Sequence, residues 1–407
     1  MRHFDVAIVG AGHGGAQAAI LLRQLGFEGS VGLIGAEPEL PYERPPLSKD
    51  YLAGDKPLER MLIRPPAFWP ERQIEVICGT RIAAVDAVSR TLTSESGDTF
   101  GYRALIWAAG GVPRRLSCGG ADLAGVHVVR CRSEVDAIRS ELDGVTRVAV
   151  VGGGYVGLET AAALRKLGKQ VVLVEAVDRL LSRVAGEPVG RFFEAEHRAQ
   201  GVEVRLSAMV DSIEGTGGRA SGLRLTGGER IATEMVIVGI GIDAADAPLR
   251  AAGAECGNGV YVDAFCRTTL PHVYAIGDCA AHENRFAGRT RIRLESVQNA
   301  HDMAATAVKT ILGVPEPYAA TPWFWSNQYD LKLQTVGLMH GHDATVLRGD
   351  SAARGFSLIY LRNGRVAALD CVNSVRDYVQ GRRLIEAGAA PDPASLADSS
   401  IPLKDLV

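Results

Sequence analysis

Two copies of a strand, glycine-turn, helix plan, a third apolar strand ending in Gly-Asp, and a change of composition near residue 321 together predict an α/β chain. The two copies read VAIVGAGHGG near the start and VAVVGGGYVG in the middle. Each opens a βαβ unit, so the expected architecture is two Rossmann-like dinucleotide-binding domains, the first of them discontinuous, followed by a C-terminal α+β domain. The expected boundaries are 1–112 with 243–318, then 113–242, then 319–407.

The elements follow in order. Phe4 to Val9 is rich in β-formers and alternates little, as a strand buried on both faces does. A glycine cluster follows, then a helical stretch from Gly14 to Leu25 and a second strand from Val31 to Ile34. Val148–Val151, Gly152–Gly168 and Val171–Glu175 repeat the plan. The strand Leu105–Trp107 runs into the small residues Ala108, Ala109, Gly110 and Gly111, and Val236–Gly241 closes the second unit in the same manner. Val273–Asp278 is the third apolar strand, and Leu294–Leu312 is helical. From Thr321 onward aromatics and strand-like segments increase, and no further glycine fingerprint occurs. The tail from Ala389 to Ser400, rich in Ala, Pro, Asp and Ser, is expected to be loop.

The first fingerprint is Gly10-x-Gly12-x-x-Gly15. The first glycine makes the tight turn, the second lets backbone approach a pyrophosphate, and the third lets the helix pack on the strand while its N-terminus faces the phosphates. The second fingerprint, Gly152-x-Gly154-x-x-Gly157, is followed by a strand ending in Glu175. A carboxylate there accepts hydrogen bonds from ribose hydroxyls and repels a 2′-phosphate, which favours NADH over NADPH. Lys169 and Arg179 are the competing features, since either could receive a phosphate. In the first unit the corresponding acidic position falls on Gly35, with Glu37 two residues beyond. Glu37 is a candidate for the adenosine ribose or a solvated loop residue. Asp278 could accept from a sugar-alcohol hydroxyl, a group that FAD has and NAD lacks. It could also be an ordinary helix cap.

The bulk numbers exclude several classes. The 407 residues are 47% hydrophobic and 22% charged, with a net charge of −3, which gives no reason to invoke nucleic acid or a membrane surface. No apolar run reaches the length of a membrane span, and the glycines in Val6–Leu22 read as strand, turn and helix instead of an export signal. The seven cysteines are scattered, with no CxxC and no metal-ligand spacing, which fits a reducing cytoplasm. His340 and His342 stand two apart in a Gly-rich loop, where solvent exposure is expected.

Several blocks appear in a fixed order: the fingerprints, Pro45-Pro46-Leu47-Ser48-Lys49, Tyr274-Ala275-Ile276-Gly277-Asp278, Glu295-Ser296-Val297-Gln298-Asn299-Ala300, and Trp323-Phe324-Trp325-Ser326-Asn327-Gln328-Tyr329. The chain resembles, over nearly its whole length, the ferredoxin reductases of bacterial oxygenase systems, which have a glutathione-reductase-type fold. The resemblance implies an FAD enzyme. Gly14, Ala36 and Ala109 would lie along the FAD, with Ile82 by the adenine and Arg132 reaching the cofactor. Pro45 would lie against the flavin ring and Lys49 near its N5. Asp278 would hold the ribityl chain, Val297 would meet the pyrimidine edge, and Trp323 would place an aromatic nearby. Tyr155, Val156, Glu159 and Gly241 would line the nicotinamide pocket.

Lys49 carries a physical argument of its own. An ammonium near N5 favours electron density arriving there, and Glu159 could pair with it to limit the desolvation cost. No cysteine stands near the Pro45–Lys49 block, where related disulfide reductases keep theirs, so the electrons are expected to leave singly to an external carrier. The expected enzyme passes electrons from NADH through FAD to a [2Fe–2S] ferredoxin. A rubredoxin reductase and an apoptosis-inducing-factor-like redox sensor are the alternatives. Ferredoxins of this type are acidic, so Arg64, Arg289, Arg291 and Arg293 are candidates for a docking face.

Overall fold

The computed structural model describes residues 1–407. The chain forms two compact units. The first comprises Met1–Arg44, Leu58–Val112 and Asp243–Pro322, and the second comprises Pro45–Pro57, Pro113–Ile242 and Trp323–Val407.

The first unit is organised by a seven-stranded sheet. Strand Arg2–Val9 sits between Val31–Ile34 and Thr99–Trp107, parallel to both, and Val273–Ala275 adds on beside Thr99–Trp107. The register pairs Val9 with Ile34 and Trp107, and Trp107 with Ala275. The carboxyl ends of these strands therefore finish level, and the turn after Val9 emerges at that edge. All four residues of Val31–Ile34 are buried, as a strand covered on both faces requires. Two helices, His13–Gln24 and Val297–Ile311, pack together closely enough that a Cβ on Gly14 would lie in van der Waals contact, 3.5 Å from the Cβ of Ala300. The second of these helices starts at Val297, later than the sequence suggests, because Ser296 caps it by accepting from the Asn299 amide at 3.0 Å.

The second unit repeats the plan with a five-stranded parallel sheet in the order Val202–Arg205, Gln170–Val174, Arg147–Val151, Met235–Val238, Val126–Val128. Val151 pairs with Val174 and with Val238, so the second fingerprint also leaves at a level strand edge. A five-stranded antiparallel sheet, with Trp323–Gln328 at one edge, Arg365–Val372 at its centre and Ala344–Asp350 at the other edge, belongs to the same unit. It joins because its first strand lies on the second fingerprint helix, Tyr155–Lys166, with the Phe324 ring 4.5 Å from that of Tyr155. The turn Pro45–Ser48 meets the same helix through Ser48 and Glu159.

The tail is not all loop. Pro393–Ala397 is a short helix, started by Pro393 and capped by Asp392, which accepts from the Ser395 amide at 3.2 Å. The buried guanidinium of Arg348 donates to the carbonyls of Leu396, Asp398 and Ile401. This arginine, distant in sequence, supplies the order that local composition does not.

Candidate active site

Each fingerprint is built by backbone meeting backbone. Gly10 has φ of +108° and Gly152 +107°, values that side chains avoid. A Cβ on Gly10 would fall 2.2 Å from the Ala108 carbonyl oxygen and 2.9 Å from the Ala109 Cα. One on Gly152 would fall 2.4 Å from the Gly239 oxygen. The third glycines are as tight: Gly15 and Gly157 would place a Cβ 1.9 Å and 2.0 Å from the carbonyl oxygens of Gly10 and Gly152. The middle glycines differ. A Cβ on Gly12 would meet only the tip of Arg44, at 3.7 Å, and one on Gly154 would meet nothing within 4 Å. No side chain caps either helix. Each helix N-terminus thus presents amides at an open mouth, which fits a pyrophosphate.

The strand tips beyond the turns differ in charge. Glu175 folds back over its own fingerprint, accepting from the Gly153 amide at 2.6 Å and the Val177 amide at 3.1 Å. The two cations that could have received a 2′-phosphate are engaged elsewhere. Lys169 donates to the carbonyls of Leu142 and Val145, and Arg179 to those of Ser182 and Ala185. At Gly241, φ is +101° and a Cβ would stand 3.4 Å from an Arg183 guanidinium nitrogen. That arginine had no sequence signal. Tyr155 is half-buried, and Val156 points outward.

In the first unit Ala36 is exposed, and Glu37 pairs with Arg44 at 2.6 Å while accepting from Tyr42 at 2.5 Å. Ile82 is part of the unit's core. Asp278 and Val297 are half-buried, and Gly277 approaches the helix Val297–Ile311, where a Cβ would lie 3.3 Å from that of Ala300. Arg64, Arg289 and Arg291 are exposed. Arg293 is not available to a partner: its side chain is 6% exposed, is paired with Glu295 at 2.7 Å, and donates to Asn258 and to the Asp278 carbonyl. It therefore leaves the candidate docking group.

In the second unit Lys49 and Glu159 form a 2.6 Å ion pair, the carboxylate almost wholly buried. The Ser48 and Ser326 hydroxyls each donate to Glu159 at 2.6 Å. Arg132 is engaged by Asp136 at 3.0 Å and Tyr51 at 3.2 Å. Pro45 is half-buried beside this cluster in sequence. Strand alternation sets Trp323 and Trp325 side by side, ring centroids 5.5 Å apart.

The cysteines are all free. Burial pushes up the thiols of Cys78, Cys118, Cys256, Cys266, Cys279 and Cys371, which makes them poor nucleophiles.

A second buried acid had no sequence signal. Asp370 accepts from the Tyr360 hydroxyl, which in turn accepts from the Gly186 amide at 2.6 Å. Burial raises the Asp370 carboxyl from 3.8 to about 7, although these hydrogen bonds pull the other way. A folded-state value above the unfolded one means that the fold favours the protonated acid. Its contribution is complete below the unfolded value and is lost as pH rises towards about 7. Asp370→Asn should therefore melt higher relative to wild type at about pH 8 than at about pH 5, a swing on the order of a few kcal/mol. Melting curves that keep a constant gap between these pH values would show that Asp370 is already ionised in the fold.

Residues 4–304 match the family described as pyridine nucleotide-disulphide oxidoreductase, and residues 323–407 match the one described as reductase C-terminal. A 5,5′-dehydrodivanillate O-demethylase ferredoxin reductase subunit of Sphingobium sp. is 60% identical over 407 residues, which cover 100% of this chain and 99% of that one. A ferredoxin–NAD(P)(+) reductase of Sphingomonas sp. is 55% identical over 406 residues, covering 100% and 98%. Among solved structures, that of the covalent putidaredoxin reductase–putidaredoxin complex aligns with a TM-score of 0.95 at 33% identity, covering 100% of this chain and 98% of that one. The chain belongs to the pyridine nucleotide-disulphide oxidoreductase family, among its ferredoxin reductases. It is an FAD-dependent oxidoreductase that uses a pyridine nucleotide. No helix is long and apolar enough to cross a membrane.

Proposed function

We propose that this protein is the reductase of an oxygenase system, passing electrons from NADH through FAD one at a time to a [2Fe–2S] ferredoxin in the cytoplasm. The FAD, when bound, supplies the conversion between a two-electron hydride donor and a one-electron acceptor. The chain's own residues bind, orient and tune. Gly10, Gly12, Gly14 and Gly15, with Ala36, Glu37, Ile82 and Ala109, serve the adenosine and pyrophosphate half of FAD. Pro45, Arg132, Asp278, Val297 and Trp323 serve its flavin half. Gly152, Gly154 and Gly157 take the NADH pyrophosphate. Tyr155, Val156 and Gly241 receive its nicotinamide. Lys49, paired with Glu159, presents its ammonium to the flavin's reactive edge. The domain division in this reading is 1–112 with 243–318 for FAD, 113–242 for NAD, and 319–407 as the C-terminal domain. Arg64, Arg289 and Arg291 form the candidate face for an acidic ferredoxin.

The choice of NADH rests on one observation: Glu175 stands at the strand tip while Lys169 and Arg179 are held by backbone carbonyls. Steady-state reduction of a [2Fe–2S] ferredoxin should show kcat/KM well above that for NADPH when NADH is the donor, and Glu175→Ala should narrow the gap about tenfold or more. Equal values in the wild type would remove Glu175 from the ribose site. Faster turnover with rubredoxin than with any ferredoxin would reassign the carrier.

A further inference from the structure

We propose that Ser326, Gln328 and His197 are positioning residues: they form a one-way hydrogen-bond chain that fixes the Glu159 carboxylate and, through it, the Lys49 ammonium. This rests on the functional reading above. All the groups lie in the second unit.

The direction of the chain follows from donor and acceptor inventory. An ionised carboxylate only accepts. Glu159 Oε2 accepts from Lys49 Nζ and Ser48 Oγ, and its Oε1 accepts from Ser326 Oγ, each at 2.6 Å. Ser326 has one proton, and it is given to Glu159, so its oxygen must accept from Gln328 Nε2 at 3.2 Å. That orients the Gln328 amide. Its Oε1 therefore faces His197 Nε2 at 2.9 Å and requires a proton there. The remaining ring nitrogen, Nδ1, accepts from the Tyr329 hydroxyl at 3.0 Å. Every proton in the series points towards Glu159.

The burial of the chain makes it consequential. Ser326 and His197 are 0% exposed and Gln328 is 1% exposed. The imidazole must be neutral for this polarity, and burial does hold its pKa down to about 4. Aligned dipoles in a low-dielectric interior reinforce one another, and here their positive ends all face one anion. Apolar side chains would fill the same space without polar desolvation. The strand Trp323–Gln328 instead spends two alternate inward positions, 326 and 328, on groups that serve a carboxylate on the helix Tyr155–Lys166. With both of its oxygens held, the Glu159 carboxylate is fixed in place, and the Lys49 ammonium is held with it.

The test is Gln328→Leu in the FAD-loaded protein, read by rapid reduction with NADH and by the midpoint potential of the bound flavin. The limiting reduction rate should fall about tenfold and the potential should become more negative by about 30 mV, tenfold for two electrons, while KM for NADH and FAD content stay unchanged. In a Glu159→Gln background the same substitution should add nothing, because its effect runs through the carboxylate. His197→Gln, which can still donate to Gln328, should retain more of the rate than His197→Leu. A Gln328→Leu protein that melts lower but keeps the wild-type rate and potential would overturn the proposal and leave the chain as packing. Should that variant not fold, Ser326→Ala, which removes one hydroxyl, decides by the same readouts. Wild-type protein whose flavin NADH does not reduce would overturn the functional reading itself, a result distinct from either.

Discussion

Gly15→Ala should give a protein that does not retain FAD, while Gly12→Ala should fold and only bind it more weakly. The two substitutions add the same methyl group within six residues of the same strand tip, Val9. At Gly15 that methyl would sit 1.9 Å from the Gly10 carbonyl oxygen. Neither atom belongs to a flexible side chain, so the helix His13–Gln24 must lift from its strand. Overpacking of this kind costs about 3 kcal/mol or more, and the lifted helix no longer presents its amides to the pyrophosphate. At Gly12 the nearest neighbour is the end of Arg44, at 3.7 Å, which can move. The methyl would instead project into the mouth where the phosphates approach. Flavin content after purification and thermal melting report both effects. Gly15→Ala with full flavin and a wild-type melting temperature would mean that the strand and helix can separate at little cost.

Lys49→Met should slow flavin reduction by NADH about 10²-fold, the scale found when one electrostatic donor is removed from a reacting centre. It should also destabilise the protein. The Glu159 carboxylate is 5% exposed and the Lys49 side chain 16%, so little solvent reaches the pair. Removing one partner of a buried pair costs about 3–5 kcal/mol, because the other charge is left behind. Two serine hydroxyls remain on Glu159 and offset part of this. The double variant Lys49→Met with Glu159→Gln separates the two effects. Its neutral amide needs no counter-ion, so most of the lost stability should return while the reduction rate stays low. If the double variant reduces flavin at the wild-type rate, the ammonium serves only to balance its carboxylate.

What was legible in the sequence is what short range dictates. The glycine turns at Gly10 and Gly152, the helices that follow them and the apolar strands all depend on neighbouring residues, and their periodicity appears in the chain order. Helix ends were less legible: the helix after Ser296 was expected from Leu294, and the cap that sets its start is a single hydroxyl. Long-range partners were not legible from periodicity at all. Nothing near Arg293 in sequence indicates that Asn258 takes up its guanidinium, and nothing near residue 395 indicates that Arg348 orders the tail. Lys169 and Arg179 looked like phosphate receivers because spacing does not show which carbonyls a long side chain will meet. Glu159 was suggested as the companion of Lys49, but Ser326, Gln328 and His197 were visible only as parts of a motif or not at all. Their alignment exists only once a strand and two helices have come together.

The two glycine turns match closely in φ at Gly10 and Gly152 and in how near their backbones approach, and this sets the protein a sorting problem. FAD and NADH share an adenosine diphosphate half, so a turn shaped for one accepts the other. On the proposed assignment of FAD to the first turn and NADH to the second, the turns themselves do not distinguish the two guests. Rejection has to come from what each guest meets beyond the shared half and at the strand tip. There the units diverge: Glu175 closes over the second turn, whereas the matching position in the first is Gly35, whose added methyl would strike Ala11 at 2.7 Å. On the proposed reading, a reductase that holds one dinucleotide and exchanges the other can thus keep a common cradle, provided that the tips and the far walls assign each occupant its seat.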